Sequence, residues 1–408
     1  MTVLNRREFT LLAGAAALSA SIPSASDAAT VPDAITPFKI SVADASLQDL
    51  RQRLEVARWP EAVATDWSRG QPVPFVRMLA NQWRQGFDWR KQEARLNSYP
   101  QFTTKIDGQV IHFLQVKSPE KGALPLIMSH GWPSSIAEFL DVIGPLSDPR
   151  AHGLDPSIAF DLIIPSLPGF GFSTPLSSTG WDVAKTAKAW DSLMNRLGYR
   201  RYGAQGGDMG ALVTRELGIL KPTGLVGIHL QQIFAFPTGA PGEMDKLSPF
   251  EKQGMGTLAS FQKLGVYSQV QSIRPATLSY GLVDSPVGVL GWNAELFFGF
   301  GGEAAKFSDR DRYLTHASIY WLTGTSGSAA NMYYENAQTN AGYRESAHND
   351  TPTAVAVFPY DFRSVRSFAE RANNIVRWTE MPRGGHFAAT DAPDLLVQDI
   401  RQFFSERS

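Results

Sequence analysis

The chain of 408 residues contains no cysteine, which excludes disulfide bonds, thiolate metal sites and a cysteine nucleophile. Charge of one sign is not in excess either, since 38 basic and 39 acidic side chains give a formal net charge of −1. A basic surface for binding nucleic acid is therefore not expected. Hydrophobic residues make up 43% of the chain and charged residues only 19%, which is typical of a globular protein.

Long hydrophobic runs are also missing. Arg6 and Arg7 precede a short apolar segment, residues 11–20, but a membrane span takes about 20 apolar residues. Small residues follow up to Ala28, which is typical of a twin-arginine export signal with its cleavage site. The sequence thus predicts a signal over residues 1–28, transient contact with the twin-arginine translocase, and a periplasmic or secreted protein without an integral membrane span. An N-terminal helix of a cytosolic protein is the alternative.

Hydrophobic periodicity divides the rest of the chain into four segments. Residues 35–101 carry apolar side chains at helical spacing and are interpreted as a helical N-terminal extension. In residues 102–231 and 351–408, short apolar runs alternate with helical stretches, which is typical of a parallel sheet covered on both faces. Residues 232–350 are helix-like and rich in aromatic side chains, and are interpreted as a lid inserted into this core. The predicted fold class is α/β, with a mostly parallel central sheet flanked by helices. The apolar runs are Leu124–Met128, Phe160–Ile164, Tyr202–Gln205, Leu225–Leu230, Ala354–Phe358 and Ile375–Thr379.

Residues 206–210, Gly-Gly-Asp-Met-Gly, are the strongest chemical signal. A predicted strand runs into this segment and a predicted helix leaves it, as in the nucleophile elbow of α/β-hydrolases, with Asp208 where serine usually stands. Glycines on both sides leave room for the sharp turn. The helix N-terminus behind it offers amide N–H groups to a developing negative charge. An ordinary strand-to-helix turn, with Asp208 as the N-cap, is the alternative.

A second loop, His130-Gly131-Trp132-Pro133, directly follows the predicted strand that ends at Met128. In the logic of an elbow, this loop contributes one backbone N–H to an oxyanion hole, and the residue after the nucleophile contributes the other. The amides of Trp132 and Met209 are therefore the expected pair.

The candidate general base is His386, on a glycine-rich loop between the last predicted strand and the last helix. Asp361 is the first candidate for the carboxylate that orients this histidine, with Glu370 and Glu380 as weaker alternatives. The order nucleophile, acid, histidine is that of α/β-hydrolase triads. The remaining histidines lack metal-ligand spacing and are expected to be structural or at the surface: His112, His152, His229, His316 and His348.

Together these motifs resemble the microsomal-type epoxide hydrolases of the α/β-hydrolase superfamily, from about residue 35 to the C-terminus. The resemblance implies that Asp208 is the nucleophile, His386 the base and Asp361 the orienting acid. It rests on the helical extension with Trp59-Pro60, His130-Gly131-Trp132-Pro133, Gly206-Gly207-Asp208, Asp284-Ser285-Pro286, Tyr334-Glu335-Asn336 and residues 383–389.

The resemblance also implies two lid tyrosines that act as acids on the epoxide oxygen. Tyr334 matches one position, and Tyr267 matches the other, with Tyr280 as the alternative. The other lid tyrosines, which include Tyr333 and Tyr343, are expected to pack. Met209 stands where relatives commonly have tryptophan, so the pocket wall differs while the backbone amide is kept.

The reaction that the resemblance implies is the opening of a small apolar epoxide by water to a vicinal diol. An ester forms on Asp208 and is cleaved by water that His386 activates, without a metal or an organic cofactor. A haloalkane dehalogenase-like hydrolase is one alternative, disfavoured because the side chain of Met209 cannot donate to a leaving halide. A non-catalytic binding protein on the same fold is another, disfavoured because every triad member is present. The oligomeric state stays open, a homo-oligomer included.

Overall fold

The computed structural model describes residues 34–299, 309–343 and 347–407. The predicted export signal, residues 1–28, lies outside these residues. Across the described part of the chain, every helix is too short or too polar to traverse a bilayer.

A nine-stranded sheet forms the centre of the fold. Its strands are β1 Thr36–Phe38, β2 Gln101–Ile106, β3 Gln109–Val116, β4 Leu124–Ser129, β5 Phe160–Pro165, β6 Tyr202–Gly206, β7 Leu225–Leu230, β8 Asn349–Val357 and β9 Asn373–Glu380. They lie in the order β1-β2-β3-β5-β4-β6-β7-β8-β9. Neighbours from β5 to β9 run parallel, and the pairs β1-β2, β2-β3 and β3-β5 are antiparallel. The mostly parallel sheet predicted from the apolar runs is confirmed.

Helices cover this sheet. The α-helices are α1 Asp44–Glu55, α2 Val73–Asn81, α3 Trp89–Leu96, α4 Ile143–Ser147, α5 Val183–Arg196, α6 Met209–Leu220, α7 Pro249–Leu264, α8 Val266–Ile273, α9 Pro275–Asp284, α10 Pro286–Phe297, α11 Arg310–Thr323, α12 Ser326–Thr339, α13 Arg366–Ala369, α14 Ala388–Asp391 and α15 Pro393–Ser405. A π-helical turn spans Gln82–Gly86, and 3₁₀ turns span Ile136–Asp141 and Arg150–His152.

The central strands are buried on both faces, which explains why they stand out as continuous apolar runs. Residues 126–128 of β4 and 162–164 of β5 are at most 1% exposed. Strand β8 begins earlier than its apolar run predicts, because alternate residues at its start, Asn349, Thr351 and Thr353, are polar and yet buried. There Asn349 donates from Nδ2 to Oγ1 of Thr353 at 2.9 Å, and Thr351 donates from Oγ1 to the Gly218 carbonyl at 2.8 Å.

The segment predicted as a helical extension contains α1, α2 and α3, but it is not wholly helical. The three residues of β1 pair with β2, and a strand this short leaves no periodicity in the sequence to detect. Leu47, Leu50 and Leu54 of α1 are buried, as their spacing predicts. The extension also contacts the lid, because Nε1 of Trp83 donates to Oγ of Ser318 on α11 at 2.8 Å.

Helices α7 to α12 lie between β7 and β8 in the chain and form the lid. Proline at the first position marks where several of them begin, since proline is tolerated there and its ring is preset for helix. Pro249, Pro275 and Pro286 start α7, α9 and α10. Ser248 and Glu251 complete a capping box on α7. These prolines and the capping box mark where separate helices of the lid begin.

Candidate active site

The site lies at the carboxyl ends of the parallel strands, the edge where α/β sheets place their ligands. Trp132 follows β4, Asp208 follows β6, and Gln232 follows β7. Asp361 follows β8, and His386 follows β9. Because adjacent parallel strands end side by side, five loops distant in the sequence converge on one place.

Asp208 lies in the sharp turn between β6 and α6, with φ +51° and ψ −127°. Asp208 occupies the N-cap position of α6, but its side chain makes no hydrogen bond that caps the helix. Instead, the Trp132 backbone N–H donates to Oδ1 of Asp208 at 2.8 Å. A Cβ on Gly210 would overlap the Ser129 carbonyl, so glycine is required where the helix passes β4.

His386 lies between two carboxylates. Its Nδ1 is 2.7 Å from Oδ1 of Asp361, and its Nε2 is 3.3 Å from Oδ2 of Asp208. Burial lowers the pKa of His386, but the carboxylates of Asp361 and Asp208 outweigh burial and hold this pKa well above the ordinary value. The alternatives to Asp361 lie elsewhere: Glu370 pairs with Arg366 at 2.7 Å, and Glu380 is exposed at the end of β9.

Two further carboxyl groups lie near this pair, and sequence reasoning missed both. Burial raises the pKa of Glu138 and of Asp391 to about 7 each. Glu138 accepts a hydrogen bond from Oγ of Ser134 at 2.5 Å, and Asp391 accepts one from the backbone of Gly385. Both interact electrostatically with His386. Each of these carboxyl groups is therefore only partly ionised at neutral pH.

The amides of Trp132 and Met209 are the candidates for the oxyanion hole. The Trp132 amide already contacts the Asp208 carboxylate, and Trp132 is 1% exposed. Met209 is the first residue of α6, so its amide has no acceptor within the helix. The Met209 side chain lines the cavity, with Nδ2 of Asn336 4.0 Å from its sulfur.

Two glutamines after β7 also belong to the site and were not predicted. The side-chain amide of Gln231 donates to the His386 carbonyl. Gln232 accepts the Asp208 backbone N–H at 3.2 Å through Oε1, and its Nε2 is 3.3 Å from Nδ1 of His386. The signal in the sequence was two consecutive glutamines directly after an apolar run. In the structure each of them is 1% exposed.

A cavity of about 560 Å³ opens between these residues and the lid, within the range for small-molecule sites. Asp208, His386 and Asp361 all line it. Its walls are mainly apolar, and they include Leu212, Phe234, Leu258, Phe261, Phe297 and Phe387. In the described part of the chain, no three His, Asp or Glu side chains cluster as metal ligands.

Three tyrosines of the lid line this cavity: Tyr267 on α8, Tyr333 on α12 and Tyr343 after α12. Tyr267 and Tyr333 are buried, whereas Tyr343 is 39% exposed. Tyr267 stacks on Trp132 with ring centres 4.8 Å apart, and Tyr333 meets Trp132 edge-on at 6.1 Å. Burial, with the Asp208 charge as a further cause, raises the pKa of both phenols well above the ordinary value. Both hydroxyl groups therefore keep their protons at neutral pH. A hydrogen bond from Tyr333 reaches Tyr267.

Comparison with known proteins gives matches along most of the chain. The family described as "Epoxide hydrolase N terminus" matches residues 35–139, and the alpha/beta hydrolase fold matches residues 125–272. Epoxide hydrolase 1 of Sus scrofa is 34% identical over 93% of this chain and 91% of its own length. A relative from Stigmatella aurantiaca (strain DW4/3-1) is 43% identical over 91% of this chain and 85% of its own. The chain belongs to the epoxide hydrolase family.

Solved structures place this member of the family on the same fold. The epoxide hydrolase of Aspergillus niger superposes with a TM-score of 0.81 at 30% identity, covering 91% of this chain and 96% of that one. The juvenile hormone epoxide hydrolase of Bombyx mori gives a TM-score of 0.81 at 24% identity, over 92% and 95%. The second likeness is evidence for the fold alone.

In this epoxide hydrolase family member, the tyrosine of α12 that lines the cavity is Tyr333 and not Tyr334 as predicted. Tyr334 is 36% exposed and does not line the cavity, whereas its neighbour Tyr333 is 8% exposed and does. Consecutive residues of a helix point about 100° apart, so only one of the pair can face inward. The buried positions Ser326, Ala329 and Ala330 of α12 continue at helical spacing to Tyr333, a signal that the sequence already contained.

The second lid tyrosine was left open between two positions. Tyr280 is 80% exposed, so the structure brings Tyr267 and not Tyr280 to the cavity. The expectation that Tyr333 and Tyr343 only pack is wrong, because both line the cavity. Tyr313 and Tyr320 do pack, and their hydroxyls donate to the Leu290 and Ser134 carbonyls at 2.6 and 2.9 Å.

Proposed function

We propose that this protein opens an epoxide to a vicinal diol through a covalent ester on Asp208. The proposal rests mainly on the surroundings of the Asp208 carboxylate. Asp208 lines an apolar cavity, His386 lies 3.3 Å away, and the phenols of Tyr267 and Tyr333 line the same cavity. The activity named for the pig and Aspergillus niger relatives supports it.

The first step is attack by an Asp208 oxygen on a ring carbon. A new C–O bond forms to the carboxylate while the strained ring C–O bond breaks, and the electron pair leaves on the ring oxygen. The resulting alkoxide is strongly basic and needs a proton. The phenol of Tyr267 or Tyr333 supplies it, since both are protonated at neutral pH.

His386 changes its role when the ester forms. In the resting protein the carboxylates of Asp208 and Asp361 favour the imidazolium. Esterification removes the Asp208 charge, so the imidazolium loses one of its two anionic neighbours and its pKa falls. The imidazolium proton then passes to the tyrosinate, which leaves the tyrosine protonated and His386 neutral. Formation of the ester thereby prepares the base for the next step.

The second step is hydrolysis of the ester. Neutral His386 takes a proton from water as the water attacks the Asp208 carbonyl carbon, and Asp361 stabilises the imidazolium that forms. The amides of Trp132 and Met209 receive the oxyanion, and one such donor typically contributes about 3–4 kcal/mol. Collapse of the intermediate breaks the bond between the Asp208 carbonyl carbon and the ester oxygen, which leaves with the product. The second proton of the attacking water passes to that oxygen, so the diol, the Asp208 carboxylate and the His386 imidazolium result.

The decisive experiment is trapping of the ester. We expect His386→Gln to form the ester but not cleave it, so intact-mass spectra after mixing with styrene oxide should show a shift of one epoxide mass. Asp208→Ala is the matched control, since it keeps the cavity and loses the nucleophile. An unmodified His386→Gln protein after full mixing contradicts the scheme. A single turnover of the parent in ¹⁸O-water should yield largely unlabelled diol, because its new oxygen comes from Asp208.

For location, we propose export through the twin-arginine translocase. Arg6 and Arg7 ahead of the apolar residues 11–20 support this. Replacing both arginines with lysine keeps the charge and removes the paired-arginine motif, so the full-length precursor should stay in the cytoplasm. Cell fractionation followed by blotting of the parent and variant measures this. Equal amounts of both in the periplasm would contradict the assignment.

A further inference from the structure

Gln232 is the residue that contacts both the turn of Asp208 and the imidazole of His386. Its Oε1 accepts the Asp208 backbone N–H at 3.2 Å, while its Nε2 is 3.3 Å from Nδ1 of His386. The side chain is 1% exposed and lines the cavity. One amide thus spans the distance between the nucleophile turn and the base.

The NH₂ group of Gln232 cannot donate a hydrogen bond to Nδ1 of His386. Nδ1 lies closer to Asp361, at 2.7 Å, so its proton points to that carboxylate. An amide NH₂ is a donor only, and two donors cannot bond to each other. Rotating the amide by 180° would turn its NH₂ toward the Asp208 N–H and repeat the conflict there. The Gln232 NH₂ therefore needs another acceptor in the working enzyme.

A suitable acceptor belongs to Asp361, the carboxylate that pairs with His386. Oδ2 of Asp361 is buried and, among the described residues, has no hydrogen-bond partner. A buried carboxylate oxygen without a donor is costly. The Gln232 NH₂ thus needs an acceptor, and Oδ2 of Asp361 needs a donor. Both groups belong to residues that interact with His386.

We propose that Gln232 is a positioning residue that couples the nucleophile to the base: its carbonyl holds the Asp208 amide, and its NH₂ group serves Oδ2 of Asp361. The inference rests on the proposed covalent mechanism and adds a role to it. At φ +51° the Asp208 backbone is in a conformation that costs energy for a residue other than glycine, and an acceptor for its N–H stabilises that turn. The next residue is anchored as well, because the Ile233 N–H donates to Oγ of Ser364, close to Asp361, at 2.9 Å.

Two substitutions test the carbonyl end and the NH₂ end of the Gln232 side chain separately. Gln232→Glu keeps an acceptor for the Asp208 N–H but replaces the NH₂ with a carboxylate beside the Asp361–His386 pair. Gln232→Leu removes both ends. The control is Gln205→Leu: this glutamine of β6 is 1% exposed, and neither of its polar atoms has a partner among the described residues. Rapid mixing, acid quench and intact mass measure ester formation and ester decay as separate rates from pH 5 to 9.

For Gln232→Glu, we expect the rate of ester formation to stay near that of the parent. An added negative charge stabilises the imidazolium, so the acidic limb of ester decay should move up by about one pH unit. The carboxyl groups that already act on His386 are Asp208, Asp361, Glu138 and Asp391, and all are the same in both proteins. A decay profile that superimposes on the parent's overturns the role of the NH₂ end.

For Gln232→Leu, we expect both rates to fall by at least about tenfold, since small displacements of reacting groups are costly. Gln205→Leu should keep both rates close to the parent's when corrected for folded fraction by thermal melting. Equal losses in the two leucine variants would mean that Gln232 only fills space, and would overturn the inference. If the parent itself forms no ester, the proposed function fails rather than the role of Gln232.

Discussion

The imidazole Nε2 of His386 lies 3.3 Å from Oδ2 of Asp208, so in the proposed mechanism the base of the second step faces the carboxylate that attacks in the first. The charge on Asp208 affects the charge state of His386. An ionised Asp208 favours the imidazolium, and an esterified Asp208 does not. In the proposed mechanism, His386 of the resting protein therefore holds a proton that it loses once the ester has formed.

This pair predicts a lower pKa for His386 in Asp208→Asn. Burial lowers the pKa of His386, and the carboxylates of Asp361 and Asp208 raise it. The asparagine is neutral and of similar size, so burial is opposed by one charge instead of two and the pKa falls. Titration of the His386 ring signals by NMR measures the change. Asp350→Asn, an exposed carboxylate next to His348, is the control, and an unchanged His386 pKa in Asp208→Asn would argue against the pairing.

The same raised pKa predicts how stability depends on pH. A histidine whose pKa is higher in the folded than in the unfolded state contributes stability that is fully present below about pH 6.5 and is lost as pH rises through the folded pKa. The free energy of unfolding of the parent should therefore decrease above about pH 6.5. The decrease should be smaller in Asp208→Asn. Urea unfolding followed by circular dichroism at several pH values checks both curves, and parallel curves contradict the prediction.

The lid tyrosines predict a clear order of activities. Tyr333→Phe and Tyr267→Phe each remove a phenol that lines the cavity, and general acids typically contribute about 10²–10⁴-fold to rate. With a second phenol still present, we expect ester formation to slow by about ten- to hundredfold in each single variant. Tyr334→Phe is the matched control, since it is the neighbouring tyrosine but points away from the cavity. Equal losses at 333 and 334 would contradict the assignment of Tyr333.

The triad could be predicted because its members occupy special loops. Asp208 lies between glycines at a strand-to-helix turn, and His386 follows consecutive glycines. Asp361 comes shortly after an apolar run. In a parallel sheet such loops meet at one edge, so the order of motifs along the chain was enough to bring these residues together.

The rest could not be predicted for physical reasons that differ from case to case. Choosing Tyr333 over Tyr334 required the rotational register of α12, where one residue changes the direction by about 100°. Gln232 has no motif, and its role depends on the end of β7 lying beside the turn of Asp208. The start of β8 was missed because Asn349 is buried through hydrogen bonds rather than through apolar character.

Close packing of Gly131 against the nucleophile predicts a loss of activity in Gly131→Ala. A Cβ at this position would overlap the Asp208 carboxyl group, so the carboxylate must move away from both the Trp132 amide and His386. We expect kcat/KM to fall by about a hundredfold, as for a displacement of about 1 Å at a reacting group. Gly281→Ala on α9 is the control, because its Cβ would meet nothing within 4 Å. Unchanged kcat/KM in Gly131→Ala would contradict the geometry at the nucleophile.

The buried hydrogen-bond network of Asp399 predicts an effect on the free energy of unfolding, outside the active site. Its carboxylate is 1% exposed and joins three elements, accepting from Nε2 of His229 on β7 at 2.9 Å and from Arg377 and Thr379 on β9 at 2.8 Å each. Burial opposes the charge, but these donors lower the pKa of Asp399 to about 2. Its contribution is therefore present above about pH 3.9 and lost as pH falls toward 2. We expect Asp399→Asn to lower the free energy of unfolding at pH 7 by about 3 kcal/mol, with an exposed control, Asp350→Asn, near zero. Equal urea midpoints for parent and Asp399→Asn at pH 7 would show that this buried network does not stabilise the fold.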